Sequence, residues 1–342
     1  MAVSLSARRR HSAPAERELR MGFKMINNRL ALVLILGFCV CSVANAQSPR
    51  SAEVMYDQGR ERYLKGDFDG AIAAFTRAIE LTSVPQGGSR SGLASLTAES
   101  GFATDGRSAN RITIVDPLTA AAFVGRALAR HHKGDNDGGL EDSDRAIAID
   151  PGSPEAYNNR GSIRFAKQDL DGALGDFNRA IEIDPSYADP YNNRANVRLV
   201  KGESEAALAD FNQAITLNPR CAQIYSNRGH LRRDAGDLDG ALVDAERALK
   251  LDSRLADAYY LRGMLRFQKQ NSKEAIADFN RAIELNPRLA PAYGNRGFVR
   301  LLQGEDAKAQ EDFDRCIKLD PALKARLDQW TEAVRQLRKT TR

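Results

Sequence analysis

The stretch "AYNNRGSIR", Ala156 to Arg164, returns as "PYNNRANVR" from Pro190, "IYSNRGHLR" from Ile224 and "AYGNRGFVR" from Ala292. The starts lie 34, 34 and 68 residues apart, so the chain is built on a period of 34. A fixed period of this size signals an array of stacked units rather than one globular core. Counted from three residues before each tyrosine, the units are 154–187, 188–221, 222–255, 256–289 and 290–323, with a weaker copy at 120–153 and another at 52–85.

Each unit carries two apolar-periodic segments joined by a turn such as "KGDF", "KGES", "AGDL" or "QGED". In the second segment two alanines fall seven residues apart (Ala173 and Ala180, Ala207 and Ala214, Ala241 and Ala248, Ala275 and Ala282), on one helical face. Small residues there let two helices approach, and Phe75, Phe177, Phe211, Phe279 and Phe313 fill the adjacent space. Pro151, Pro185, Pro219, Pro287 and Pro321 stop the second helix before the next unit begins. The predicted unit is a helix–turn–helix hairpin, and the fold class is all-α.

On these residues the chain resembles the tetratricopeptide repeat family, whose signature places an aromatic, two glycines, two alanines, a second aromatic and a proline at these offsets. The resemblance covers seven units. It departs at Gly139, Ser143, Ala245, Ser253 and Cys316, where less efficient packing is expected. It implies a right-handed superhelical solenoid that binds other proteins or peptides in a concave groove, with no cofactor.

The ends differ in kind. Residues 1–46 contain a basic stretch, the apolar run "LALVLILGFCVCSV" (Leu30 to Val43) and Ala44-Asn45-Ala46, the pattern of a secretory signal peptide cleaved after Ala46. The apolar run is shorter than the ~20 residues of a spanning helix, so a retained N-terminal membrane anchor is the alternative. Met21 or Met25 would give a leader of more ordinary length than Met1. Arg8-Arg9-Arg10 lies too far upstream of the apolar run for a twin-arginine signal. The expectation is an exported protein, periplasmic or secreted.

The whole chain has 50 Lys and Arg against 45 Asp and Glu. Seven of the bases and two of the acids belong to the leader, so the mature chain carries no net charge, and nothing in it suggests a nucleic-acid partner. Cys221 and Cys316 lie about three layers apart, too far to bridge, and are expected as free thiols.

Residues 86–119 interrupt the pattern with a Gly- and Ser-rich segment, either a loop, the favoured reading, or a degenerate repeat; at 34 residues it leaves the phase intact. Residues 324–342 place Leu327, Trp330, Val334 and Leu337 at helical spacing, as expected of a capping helix with a short tail; partner docking is the alternative.

Three recurring positions are candidates for function. Asn159, Asn193, Asn227 and Asn295 hold the sixth place of their units, a series broken by Leu261. By resemblance that place faces the groove, and in the arrays of O-linked N-acetylglucosamine transferases asparagines there grip an extended polypeptide backbone. An amide offers both donor and acceptor to any peptide group, so the ladder is a candidate peptide site; amides bridging neighbouring repeats are the alternative.

Arginines recur in pairs four apart, including Arg160 and Arg164, Arg194 and Arg198, and Arg228 and Arg232. The second helices answer with Asp176, Asp210 and Asp244, which predicts an ion-paired seam between helices rather than an anion-binding groove. The fifth positions, Asn158, Asn192, Ser226, Tyr260 and Gly294, lack the lysine of the clamp by which some family members hold a C-terminal carboxylate.

No catalytic constellation is recognisable. His131 and His132 are adjacent and diverge on a helix, His230 stands apart, and "KGDNDGGLEDSD" lacks the first carboxylate of a calcium loop. The functional expectation is a non-enzymatic scaffold of the cell envelope that holds an extended segment in its groove. The alternative is a structural subunit of an envelope assembly acting through its convex face and C-terminal helix.

Overall fold

The computed structural model describes residues 49–83 and 117–340. The expected leader with its cleavage point after Ala46, and residues 86–116 of the interrupting segment, lie outside the described residues. The chain divides into two compact units, Met1–Asn193 and Arg194–Arg342.

All described elements are helical. In the first unit α1 (Pro49–Leu64) pairs with α2 (Phe68–Ser83), α3 (Pro117–His132) with α4 (Asn136–Ile149), and α5 (Pro154–Ala166) with α6 (Leu170–Ile183). The boundary falls within α7 (Ala188–Val200). In the second unit α8 (Ser204–Leu217) precedes three further pairs: α9 (Ala222–Asp234) with α10 (Leu238–Leu251), α11 (Ala256–Gln268) with α12 (Ser272–Leu285), and α13 (Ala290–Leu302) with α14 (Asp306–Leu319). A 3-10 turn, Pro321–Leu323, leads into α15 (Lys324–Thr340). Consecutive paired helices of this kind are those of a repeat solenoid.

The turns explain why the helices pair. Gly66, Gly134, Gly202, Gly236 and Gly304 take φ between 77° and 85°, the left-handed conformation that closes the first helix. Asp135, Asp169 and Asp237 then cap the second helix, each side chain accepting from a backbone N–H three residues on at about 3.0 Å. At the far end Asp150 and Asp184, each preceding a proline, take extended backbone, and the helix stops.

Within a hairpin the backbones approach closely. A Cβ on Gly161 would lie 2.7 Å from the Phe177 ring, so only glycine permits this packing. Stacking is also direct across the interruption. Helix α2 packs on α3, and Phe75 sits against Gly59 of its own hairpin and Gly125 of the next. Pro117, Leu118 and Thr119, grouped in sequence with the interrupting segment, are already the first turn of α3.

First helices touch first helices of the next layer: α1 with α3 and α3 with α5 in one unit, α9 with α11, α11 with α13 and α13 with α15 in the other. Second helices make no comparable contact among the described residues. The first helices therefore form the inner face of each unit.

Helix α15 closes the array. Its buried residues Leu327 and Val334 follow the buried Ala292 and Val299 of α13 by 35 positions, one more than the period, so α15 is a first helix rotated by one residue. In that register Asp328, Thr331, Glu332 and Arg335 stand where Tyr293, Arg296, Gly297 and Arg300 of α13 face their second helix. With Gln310, Phe313 and Ile317 of α14 and Leu327 they line an open cleft of about 390 Å³. Polar residues on that side leave the cleft to water, which is how an open array ends without exposing an apolar face.

Candidate functional site

The arginines and aspartates meet. In α5 and α6, Arg160 donates through Nε and Nη2 to both oxygens of Asp176, at 3.0 and 2.6 Å, and Arg164 donates to Asp176 at 2.8 Å. Arg194 and Arg198 hold Asp210 in the same way, and Arg228 and Arg232 hold Asp244. The geometry recurs at Arg126, Arg130 and Asp142, at Arg262, Arg266 and Asp278, and at Arg296, Arg300 and Asp312. These aspartates are 1–4% exposed. A carboxylate so buried is tolerable because two guanidinium groups occupy its lone pairs.

The first arginine of the pair also reaches back one layer. Its Nη1 donates to Thr76 from Arg126, to Asp144 from Arg160, to Asn212 from Arg228 and to Asn280 from Arg296, at 2.7–3.0 Å. Burial works against the charge of Arg160, but hydrogen bonds to Asp176 and Asp144 more than offset it and keep the group protonated. The seam thus joins the two helices of a hairpin and ties that hairpin to its predecessor. It is absent from the first hairpin, where Ala74 takes the aspartate's place.

The four ladder asparagines are half-buried on the inner face. Asn159 Nδ2 donates to the Val124 carbonyl at 3.4 Å, Asn193 Nδ2 to Asn158 Oδ1 at 3.0 Å, and Asn295 Nδ2 to the Tyr260 hydroxyl at 2.8 Å, each across to the preceding hairpin. Asn227 accepts from Gln223 at 2.8 Å. One end of the amide therefore bridges layers in three of the four positions. Asn193 also accepts from Asn192, whereas Asn159 Oδ1 and Asn295 Oδ1 have no partner among the described residues. Leu261, the break in the series, is fully buried.

Two groupings on the inner face of the second unit are not visible in the repeat pattern. Asp257 of α11 accepts at one oxygen from Ser226 Oγ (2.6 Å) and lies 3.1 Å from His230 Nε2, both on α9. Burial acts to raise the Asp257 carboxyl, but the hydrogen bond and charge of His230, the Ser226 hydroxyl and the charge of Arg233 prevail and hold it below the usual carboxylate range. Tyr260 beside it is pushed up by burial. Further along, Phe267, Phe298 and Trp330 stack in sequence, with centroids 5.9 and 4.7 Å apart. Trp330 follows Asn295 by 35 residues and so holds the ladder position of α15.

The remaining reactive side chains are accounted for locally. His131 pairs with Asn136 at 2.7 Å, and His132 stacks on Phe68 at 5.2 Å, where burial lowers its affinity for a proton. Neither Cys221 nor Cys316 forms a disulfide, and burial pushes the Cys316 thiol up. Among the described residues no group of three or more His, Cys, Asp or Glu is placed to hold a metal ion, and no helix is long and apolar enough to cross a membrane.

Hairpins of this length, stacked through an ion-paired seam with first helices inward, define an α-helical repeat array of the protein-interaction class. Models of the TPR repeat and the tetratricopeptide repeat match residues 161–202, 192–254, 256–289 and 290–323, so this stretch of the chain carries tetratricopeptide repeats. No curated protein matches it.

Among solved structures it is similar to the Cut9–Hcn1 hetero-tetramer of the APC/C, at 14% identity and a TM-score of 0.63, over 96% of this chain and 55% of that one. It is also similar to a tetratricopeptide repeat protein from Parabacteroides merdae, at 17% identity and a TM-score of 0.55, over 83% and 99% of the two chains. A third similarity is to pilF of Pseudomonas aeruginosa, at 16% identity and a TM-score of 0.54, over 61% and 96%. At these identities the likeness is one of fold.

Proposed function

We propose that the chain is a non-enzymatic scaffold of the cell envelope that binds an extended polypeptide segment along the inner face of its first helices. The observation that carries this reading is the state of the ladder amides. Asn159 and Asn295 are fixed from behind by one hydrogen bond each and keep an unengaged carbonyl oxygen, which suits the N–H of any extended backbone. Layers about 10 Å apart would set one such contact per three ligand residues, at about 3.3 Å each. The apolar leader and Ala44-Asn45-Ala46 support export to the periplasm or beyond.

The test is a crosslinked pull-down from the envelope fraction of cells making the full chain or its Asn159, Asn193, Asn227 and Asn295→Ala variant, with equal helicity confirmed by circular dichroism. Loss of partners from the folded variant is expected. An unchanged partner set would overturn the reading and turn attention to the outer face and α15.

A further inference from the structure

We propose that Phe267, Phe298 and Trp330 form an anchor for one large apolar side chain of an extended acidic peptide, whose backbone is held one layer earlier by Asn295 and Tyr260. The proposal rests on the inner-face reading above and adds to it a place and a chemistry.

Three observations meet at this end of the second unit. The rings are half-buried and packed on one another, so a fourth ring or branched aliphatic group meets a preformed apolar wall with little ordering cost. Asn295 donates to the Tyr260 oxygen, so the Tyr260 hydroxyl proton and Asn295 Oδ1 are left as one donor and one acceptor side by side. That is the complement of a peptide group, which offers a C=O and an N–H. Asn295 and Trp330 are one layer apart, about 10 Å, so the anchoring side chain falls roughly three residues from the gripped peptide group.

The charges select the sign of the ligand. Around Tyr260 stand Arg233 of α9, Asp257 of its own helix and Arg326 of α15. Asp257 is taken up by Ser226 and His230, and Arg233 is held by Asp234 at 2.6 Å. Arg326 is exposed and has no carboxylate partner among the described residues. A carboxylate next to the anchoring residue supplies one.

Trp330 is the only tryptophan in the chain, so its emission reports the site directly. The full chain is titrated with three fluorescein-labelled glycine–serine peptides whose central pair is phenylalanine–aspartate, alanine–aspartate or phenylalanine–lysine, reading both peptide anisotropy and Trp330 emission. The phenylalanine–aspartate peptide is expected to change the emission and to bind at least about tenfold more tightly than the alanine–aspartate peptide. It also outcompetes the phenylalanine–lysine peptide, a preference that Arg326→Gln, an exposed change harmless to folding, abolishes. Phe298→Leu, which keeps the core apolar, weakens binding. Three indistinguishable peptides, or binding without any change at Trp330, would overturn the anchor. Failure of the inner-face reading is a different result, the retention of partners by the asparagine variant in the pull-down.

Discussion

Leu261 fills the space that Ala245 leaves over Gly229. In most hairpins a phenylalanine of the second helix covers the glycine of the first, as Phe177 covers Gly161 and Phe279 covers Gly263. At Ala245 that ring is missing, and the atom closest to a Cβ on Gly229 is Leu261 Cδ2, supplied by the next hairpin. The same substitution explains the gap in the asparagine series, because the side chain at this position is needed in the core. Leu261→Asn is expected to cost about 2–4 kcal/mol, combining a cavity with a buried amide. Adding Ala245→Phe should recover a large part of that loss. A double-mutant cycle by urea denaturation checks it, and additive losses would refute the relationship.

The seam makes a second prediction. Asp176→Asn leaves Arg160 and Arg164 beside a neutral amide in a buried site, and the expected loss is about 3 kcal/mol. That is the low end for a broken buried pair, since the Arg164 side chain is 30% exposed and water softens the penalty. Because Asp176 is shielded, the loss should persist at high salt, whereas surface pairs such as Arg179 with Glu182 would be screened.

Much of this was legible from spacing alone. Arginines four apart on one helix and one aspartate sixteen residues beyond Arg160 recur each period, and the hairpin leaves no other place for such a carboxylate to be neutralised. The asparagine ladder was legible as a series but not as a set of bonds, because whether an amide faces a ligand or the preceding hairpin depends on side-chain geometry. The Ser226, His230 and Asp257 grouping carries no repeat signal, since it joins residues that vary between units. Trp330 was legible as part of the apolar face of the closing helix, but its equivalence to the ladder position was not: the register of α15 slips by one residue, about 100° of helix rotation, so counting in 34s aligns it with Arg296 instead of Asn295.

Two turns break the glycine rule. Gln168 and Gln270 take φ of 65° and 62°, the left-handed conformation that glycine holds at the other five turns. A side chain there costs about 1–2 kcal/mol, partly regained because glycine is freer in the unfolded chain. Gln168→Gly and Gln270→Gly should each stabilise the protein by about 0.5–1 kcal/mol in chemical denaturation, with no change in circular dichroism.

The depressed carboxyl of Asp257 makes part of the stability pH-dependent. Its folded pKa lies below the unfolded value, so the contribution is fully present above about pH 4 to 5 and is lost as pH falls through the folded pKa. Asp257→Asn should therefore lower the melting temperature at pH 7, and the difference from the native chain should shrink as pH falls through the folded pKa. Melting curves across this range check the sign, and a constant difference would show that Asp257 acts only through packing.

The closing helix can be separated from the array it covers. Truncation after Leu323 removes Leu327 and Val334, both buried, and uncovers Phe298, Phe313 and Cys316. Two fully buried aliphatic side chains represent about 3–6 kcal/mol of apolar burial, and Trp330 adds its stack on Phe298. The truncated chain should melt at lower temperature and self-associate in size-exclusion chromatography, because the exposed end is the surface on which a further layer packs. Replacing Asp328 and Glu332 by leucine in the full-length chain tests the other side of the helix. If polarity there keeps the cleft beside α14 solvated, these changes should promote association without lowering helicity; a variant that stays monomeric would show that the residues facing the cleft have no part in ending the array.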